Sequence, residues 1–184
     1  GSQVKDKADV EESQSKRRCI DVDPSSENGS LRAVNTQNQS AEQEEAREQY
    51  NLGVMYEQGQ GVEQSDIEAV KLYRLAADQG DAYAQCYLGN MYDGGRGVEQ
   101  NFEEAVKWYR LAADQGNAHA QCNLGTMYDG GQGVEQSDIE AVKLYRLAAA
   151  QGNAEAQSNL GFMYREGRGV EQNDIEAAKL YRLA

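Results

Sequence analysis

A repeat of 36 residues is the feature that most constrains how this chain folds. A Leu-Gly pair recurs at that spacing without a gap, at Leu52-Gly53, Leu88-Gly89, Leu124-Gly125 and Leu160-Gly161. The copies cover residues 46–81, 82–117, 118–153 and 154–184, and the last one stops before the unit is complete. Repeats of this length are typical of solenoids, in which each copy packs mainly against its neighbours. We number positions in the unit from the first residue of each copy, which is always alanine.

Each copy has the pattern of two helices. Positions 3, 7, 10 and 11 are apolar in most copies and share one face of a first helix. Two glycines spaced two residues apart, such as Gly59 and Gly61, then end this helix, because glycine adopts positive φ at low cost. Ser or Asn at position 20 and Glu at position 23 form a capping box that begins the second helix. We expect the Glu carboxylate to reach back to the cap residue. No segment alternates as a strand does, so an all-α fold is predicted.

The copies must stack in order to bury their apolar residues. The second helix carries apolar residues at positions 24, 27, 28, 31 and 32, but one helix pair alone buries too little surface to be stable. Glycine at position 8 and alanine at positions 24, 31 and 32 let the helices approach closely. The four methionines all occupy position 10, where we expect core packing rather than a Met-lined binding groove: Met55, Met91, Met127 and Met163.

These residues carry a family resemblance. The pattern A-x-A-Q-x-x-L-G-x-M-Y-x-x-G-x-G-V, followed by A-V-K-[LW]-Y-R-L-A-A-x-Q-G, resembles the Sel-1-like repeat, a relative of the tetratricopeptide repeat. The resemblance implies a right-handed superhelical solenoid of antiparallel helix pairs that serves as an adaptor or scaffold in protein complexes. Position 3 of the first copy is Glu48, where the other copies have alanine, so we expect the first helix to be an end of the stack.

The N-terminal segment has a different composition from the repeats. Residues 1–40 are rich in Ser, Gln, Asn and charged residues and lack periodic apolar content, which predicts a disordered or extended tail before a repeat domain over 41–184. The tail contains the basic triplet Lys16-Arg17-Arg18 and a short Ile-Asp-Val-Asp segment, Ile20–Asp23, either of which is a candidate binding motif. A structural spacer whose tail carries the binding motif is therefore an alternative to an adaptor.

Exposed positions of the two helices vary differently from copy to copy. Positions 23, 26 and 29 of the second helix are Glu, Lys and Arg in all four copies, and we expect ion pairs along this helix, such as Arg110 with Asp114. Positions 2, 5, 9 and 12 of the first helix differ nearly everywhere, and their spacing places them on one face opposite the apolar stripe. In a stack of this kind the first helices line the concave side. Varied side chains on one face favour recognition of a specific partner, whereas drift on an unimportant face gives the same variation.

The candidate partner-binding residues are Arg47, Tyr50, Val54, Glu57, Tyr83, Cys86, Asn90, Asp93, His119, Cys122, Thr126, Asp129, Glu155, Ser158, Phe162 and Arg165. Glu57, Asp93 and Asp129 form an acidic row at position 12, and several aromatic side chains lie on the same face. These features predict a partner protein or peptide that is partly basic and partly apolar. The alternative is that the acidity only keeps the protein in solution.

Charge and composition argue against several other classes of partner. The chain has 18 Lys and Arg against 31 Asp and Glu, a net charge of −13, so we expect it to bind neither nucleic acid nor an anionic membrane. No apolar run is long enough to cross a bilayer. Three cysteines, an odd number, do not form a disulfide framework and favour an intracellular location.

Neither a metal site nor an active site is predicted. Cys86, Cys122 and His119 are three soft ligands on the candidate face, but equivalent positions of adjacent copies lie about 9–10 Å apart, which is awkward for one zinc ion. His119 is the single histidine and has no visible orienting group for a nucleophile. The Gly-x-Gly turns lack the strand and the Lys-Ser or Lys-Thr of a phosphate-binding loop. We therefore expect no cofactor and no enzymatic activity.

The last copy ends at Ala184, before the Ala-Asp-Gln-Gly with which the second helices of the first two copies close. A solenoid that ends there exposes apolar surface. We expect either a longer native protein or an end-to-end contact between two copies of the chain.

Overall fold

The computed structural model describes residues 24–184, with side chains from residue 39 onward. This part of the chain contains eight α-helices and no strand. The helices are α1 Pro24–Gln58, α2 Asp66–Asp78, α3 Ala82–Gly94, α4 Phe102–Asp114, α5 Ala118–Gly130, α6 Asp138–Ala150, α7 Ala154–Glu166 and α8 Asp174–Leu183. The first helices of the four copies are the C-terminal part of α1, then α3, α5 and α7, and the second helices are α2, α4, α6 and α8.

The repeats form the predicted all-α solenoid. Within the compact unit Asn38–Ala184, each helix from α2 onward contacts the next helix along the chain. The result is a right-handed superhelical stack of antiparallel helix pairs, so the predicted fold class is confirmed. Short connections of this kind favour antiparallel neighbours.

Helix α1 begins earlier than the sequence indicated. It starts at Pro24, so residues 24–40, which were assigned to the tail, belong to this helix. Proline suits the first turn of a helix because it has no N–H to leave unpaired. The remaining part of the predicted tail, with the basic triplet and the Ile-Asp-Val-Asp segment, lies outside the described residues.

Capping follows the predicted glycines and small polar residues, with one difference. Gly95, Gly131 and Gly167 end their helices in the left-handed conformation. Ser65 accepts a hydrogen bond from the Glu68 N–H, but the expected return bond from the Glu68 carboxylate is replaced. The Ser65 N–H donates to the carbonyl of Tyr56 at the end of α1 (2.9 Å), and Glu68 pairs with Lys71 at 2.7 Å. The second hydrogen bond of the capping box is therefore absent, because the Tyr56 carbonyl already accepts from the Ser65 N–H.

Glycine at position 8 permits the closest packing within each repeat. A Cβ placed on Gly89 would lie 2.6 Å from the ring of Tyr109 at position 28, and one on Gly125 would lie 2.7 Å from the ring of Tyr145. Both tyrosines are 1 % exposed. The tyrosine rings therefore occupy the space that a larger side chain at position 8 would need.

The apolar core runs through the stack from repeat to repeat. Ala, Leu, Met and Tyr side chains of consecutive copies form three connected clusters, and Met91, Met127 and Met163 are buried in them, as expected for core packing. In α1 the equivalent side chains Leu52 and Met55 are 39 % and 37 % exposed, in agreement with the charged residue at position 3.

A glutamine at position 4, buried in the last three copies, links its helix to the second helix of the preceding repeat. Gln121 donates to the carbonyl of Ala113 in the preceding helix (3.3 Å) and accepts a hydrogen bond from Gln151 at position 34 (2.8 Å). Gln157 makes the same bond to Ala149, but its Oε1 is buried without a hydrogen-bond partner among the described residues. The fourth copy has no position 34, which supplies the donor in the other copies.

Candidate protein-interaction surface

The candidate residues differ in how accessible they are. Position 2 is exposed in every copy and carries a different side chain each time, Arg47, Tyr83, His119 and Glu155. These side chains lie at the start of the first helix, and three further candidate residues, Thr126, Phe162 and Arg165, are also exposed. We call Arg47, Tyr83, His119, Glu155 and Phe162 the variable row.

Position 5 does not lie on the exposed face in the middle copies. Cys86 is 2 % exposed and Cys122 is 1 % exposed, because each packs into the cluster shared with the following repeat. The predicted exposed face of the first helices therefore included too many positions. Position 5 is covered because a first helix packs against the next repeat as well as against its own second helix. Burial raises the pKa of both thiols to about 12, which keeps them protonated and unreactive.

Positions 9 and 12 are engaged by the buried tyrosines. The hydroxyl of Tyr109 donates to Asn90 Oδ1 at 2.8 Å, and the hydroxyl of Tyr145 is 3.2 Å from Thr126 Oγ1. In the first copy position 9 is Val54, which has no acceptor, and the Tyr73 hydroxyl instead donates to Glu57 at 2.5 Å. Part of the variation at positions 9 and 12 therefore reflects which of the two forms the hydrogen bond with the tyrosine hydroxyl.

Two carboxylates of the acidic row are already paired within the chain. Arg96 Nη1 lies 2.8 Å from Glu57 Oε1, and Arg168 Nη2 lies 2.5 Å from Asp129 Oδ1. Both arginines occupy position 15 of the repeat that follows the carboxylate. Helical spacing gives no sign of these ion pairs, because their partners lie 39 residues apart.

Asp93 is the exception in that row. Its Oδ2 lies 3.5 Å from the Tyr109 hydroxyl, whose proton it shares with Asn90, and no cationic side chain lies against it among the described residues. Desolvation raises the pKa of Asp93, and the hydrogen bond from Tyr109 opposes that change. Asp93 is therefore the one carboxylate of the acidic row without a cationic partner among the described residues.

Aromatic residues cluster at the N-terminal end of the same face. The rings of Tyr50, Tyr83 and Tyr87 lie 5.5–6.0 Å apart around Tyr50, and the Arg47 guanidinium stacks over the Tyr83 ring at 5.1 Å. An open pocket beside the cluster is lined by Arg47, Asp81 and Tyr83, among others. Of the predicted aromatic residues, Tyr50 and Tyr83 are thus brought together, while Phe162 lies two repeats further on.

The invariant charged residues on the exposed side of the second helices have partners within the chain. Glu at position 23 pairs with Lys at position 26, as in Glu140 and Lys143 at 2.6 Å. Arg at position 29 donates to the tyrosine hydroxyl at position 11 of the next repeat, as Arg110 does to Tyr128 at 3.1 Å. The expected ion pair of Arg110 with Asp114 on its own helix was wrong, since Arg110 donates to Tyr128 instead.

A second exposed row was not singled out from the sequence. Leucine recurs at position 30 of every second helix, and its exposure ranges from 48 % to 69 %: Leu75, Leu111, Leu147 and Leu183. The signal was present in the alignment of the copies, but an invariant leucine beside buried alanines has the pattern of a core residue.

His119 lies beside the residue that caps the first helix of the last copy. Its Nδ1 is 3.4 Å from the Asn153 amide nitrogen. In the described part of the chain, no three His, Cys, Asp or Glu side chains are placed to hold one metal ion. None of the helices there has the length and apolar content needed to span a bilayer.

The stacked helix pairs define an α-solenoid repeat protein. The Sel1 repeat family matches residues 49–81, 82–117, 118–153 and 154–184, and the chain belongs to this family. Sel1 repeat proteins generally mediate protein–protein interactions and typically act as non-catalytic scaffolds.

Solved structures show the same architecture. A protective antigen of uropathogenic Escherichia coli strains, c5321, which displays an SLR fold, is 43 % identical with a TM-score of 0.73. A Sel1 repeat protein from Oxalobacter formigenes is 38 % identical with a TM-score of 0.72. Each match covers 78 % of this chain, but only 31 % and 57 % of those two proteins. Comparison with curated proteins gives no match.

Proposed function

We propose that the chain is a non-enzymatic adaptor that binds a partner protein or peptide on the concave surface lined by its first helices. The contrast between the two sets of exposed positions supports this proposal. The invariant exposed Glu, Lys and Arg of the second helices have intramolecular partners, whereas position 2 is exposed in every copy and carries Arg, Tyr, His and Glu in turn. Side chains that differ at each step give a partner distinct contacts along the array, which specific recognition requires.

The variable row and Asp93 are the residues proposed to contact the partner. Burial removes Cys86 and Cys122 from the set, and the ion pairs of Glu57 and Asp129 reduce the attraction that these carboxylates offer to a basic ligand. The proposed partner remains partly basic and partly apolar, because Tyr83 of the aromatic cluster is exposed on this face and Asp93 is half-buried.

A comparison of two matched variants tests the surface. The first-helix variant carries Tyr83→Ala, His119→Ala and Phe162→Ala, and the second-helix variant carries Leu75→Ser, Leu111→Ser and Leu147→Ser. Both sets change three exposed side chains, so the fold is expected to persist, as circular dichroism and thermal melting will show. Wild type and both variants are used to capture proteins from cells of the source organism, with quantification by mass spectrometry. We expect captured proteins to be lost with the first-helix variant alone.

Loss of captured proteins with the second-helix variant alone would place the binding surface at the exposed leucines of the second helices and contradict the proposal. A third protein that lacks residues 1–37 tests the spacer alternative while keeping the unit that begins at Asn38. If this shortened protein captures no partners while the first-helix variant still does, the tail carries the binding motif and the array is a spacer.

End-to-end self-association is a separate proposal for the C-terminal end. In α8, Tyr181 is 42 % exposed although the equivalent tyrosines of the other copies are buried, and Ile175 and Leu183 are more exposed, at 73 % and 69 %, than their equivalents. We expect a concentration-dependent dimer in analytical ultracentrifugation that Ile175→Lys with Leu183→Lys abolishes. A monomer at all concentrations would refute it.

A further inference from the structure

The three junctions between consecutive repeats share one backbone arrangement. At each junction the second glycine of the turn packs against the backbone of the first residue of the preceding second helix, and a Cβ on that glycine would overlap it: Gly97 on Asp66, Gly133 on Phe102 and Gly169 on Asp138. The C-cap glycines of the same turns have φ of 65°, 66° and 66°. Position 15 of each turn is thus anchored in the same way next to positions 12 and 21 of the preceding repeat.

An arginine at position 15 fills the first and the third junction. Arg96 lies 2.8 Å from Glu57 and 2.8 Å from Asp66. Arg168 lies 2.5 Å from Asp129 and 2.6 Å from Asp138. Each guanidinium therefore lies between the carboxylate at position 12 and the aspartate at position 21.

The middle junction keeps the carboxylate but lacks the arginine. Gln132 replaces arginine at position 15, Phe102 replaces aspartate at position 21, and Asp93 remains at position 12. The Gln132 side chain starts along the path of Arg96, since each lies 3.6 Å from the Cβ position of the glycine two residues before it. It has no guanidinium with which to neutralise Asp93. The phenylalanine ring is half-buried and packs against the adjoining core cluster.

We propose that the middle junction binds an arginine side chain of the partner protein, in the place that Arg96 and Arg168 occupy at the neighbouring junctions. This inference rests on the proposed adaptor function and specifies its ligand. Asp93 accepts the hydrogen bonds of the guanidinium, and Phe102 supplies an aromatic ring where the other junctions have a second carboxylate. A planar guanidinium suits this site better than an ammonium group, because it pairs with a carboxylate and packs on an aromatic ring at the same time.

A titration with N-acetyl-arginine methylamide tests the site without any macromolecular partner. The ¹⁵N-labelled chain is titrated and followed by amide chemical shifts, with the citrulline compound, an uncharged molecule of nearly the same shape, as the control. We expect shifts at Asp93, Phe102 and Gln132 with the arginine compound alone, and none at Arg96 or Arg168. Asp93→Asn removes these shifts. Gln132→Arg also removes them, because its own guanidinium reaches Asp93.

The Gln132→Arg variant separates loss of binding from loss of folding. We expect its melting temperature to equal or exceed that of wild type, since it adds the ion pair found at the other two junctions. Equal shifts with the arginine and citrulline compounds, or wild-type shifts in Asp93→Asn or Gln132→Arg, would overturn the proposal.

The outcome is independent of the capture experiment. If the titration fails while the first-helix variant still loses its partners, the arginine site is wrong and the adaptor function stands. If arginine binds while no protein depends on the first helices, the site stands and the adaptor function falls.

Discussion

At single positions, close packing and burial in the stack determine which side chains the repeat accepts. Position 8 must be glycine because a tyrosine ring lies against it. The glycines that close the second helices are different, since a Cβ on Gly116 would meet no atom within 4 Å, and this residue needs only its positive φ of 88°. Position 5 lies in the core of the middle copies although its spacing indicates a surface position.

Two glycines of α5 provide a matched test of the packing. Gly125→Ala places a Cβ 2.7 Å from the Tyr145 ring, and we expect a loss of about 1–3 kcal/mol in the free energy of unfolding. Gly130→Ala meets its nearest atom at 3.6 Å, and we expect a gain of about 0.5 kcal/mol, because alanine loses less backbone entropy in a helix. Urea unfolding measures both. Equal effects would show that the ring contact does not limit position 8.

The buried thiols predict a loss of stability at alkaline pH. Cys86 and Cys122 have a pKa near 9 in the unfolded chain and about 12 in the folded protein. Their contribution is complete below pH 9 and falls between pH 9 and 12, because the unfolded chain releases these protons first. The measurement is urea unfolding from about pH 8 to about pH 10.5, a range that begins below the unfolded pKa.

Cys122→Ala is the control for this pH dependence. Its lost packing lowers stability at every pH, but it also removes one titrating group, so we expect a shallower decrease above about pH 9. An unchanged slope would show that the Cys122 thiol does not contribute.

Between helices, the structure combines local caps with contacts that reach across repeats. Each helix of the repeats after α1 begins after a small polar cap residue, and the first helices end at glycine as the sequence indicates. The N–H of the residue that caps each second helix, however, donates to a carbonyl of the preceding helix instead of to the glutamate of the capping box. The bridging arginines join the turn of one repeat to both helices of the repeat before it. These contacts make the first and third junctions electrostatically different from the middle one.

Arg168→Gln converts the third junction to the composition of the middle one at position 15. Because Arg168, Asp129 and Asp138 are 28–32 % exposed, we expect a loss of about 1 kcal/mol that becomes smaller at high salt. Arg165→Gln removes a surface pair with Glu166 on the same helix end, and we expect no measurable change. Thermal melting at low and high salt checks both. A loss that salt does not reduce would point to packing rather than charge.

Along the array, the buried polar groups of a repeat depend on contacts from its own second helix as well as from the preceding repeat. The buried Gln157 Oε1 shows one contact that is missing, since its equivalents accept a hydrogen bond from the glutamine at position 34. A buried acceptor without a partner costs about 1–3 kcal/mol.

Adding Ala-Asp-Gln-Gly after Ala184 tests this contact. We expect the melting temperature to rise, because the added glutamine donates to Gln157 and the added alanine extends the core. The control extension, Ala-Asp-Ala-Gly, has the same length without the donor, and we expect a smaller rise. Equal effects of the two extensions would mean that the glutamine bond contributes little.

Much of this architecture follows from local pattern. The 36-residue period, the glycine and small polar caps, and the apolar stripe specify helix number, helix ends and most of the core, because these depend on residues within one turn or one repeat. The early start of α1 was missed, since residues 24–40 have no apolar periodicity to indicate a helix.

The surface, by contrast, was decided by contacts between repeats. The sequence shows which first-helix positions vary, but not that Cys86 is covered by the next copy, nor that Arg96 and Arg168 neutralise Glu57 and Asp129 from the following turn. The physical reason is that exposure and net local charge depend on atoms brought together by stacking. Only the stacked structure therefore distinguishes Asp93 from the other carboxylates of its row.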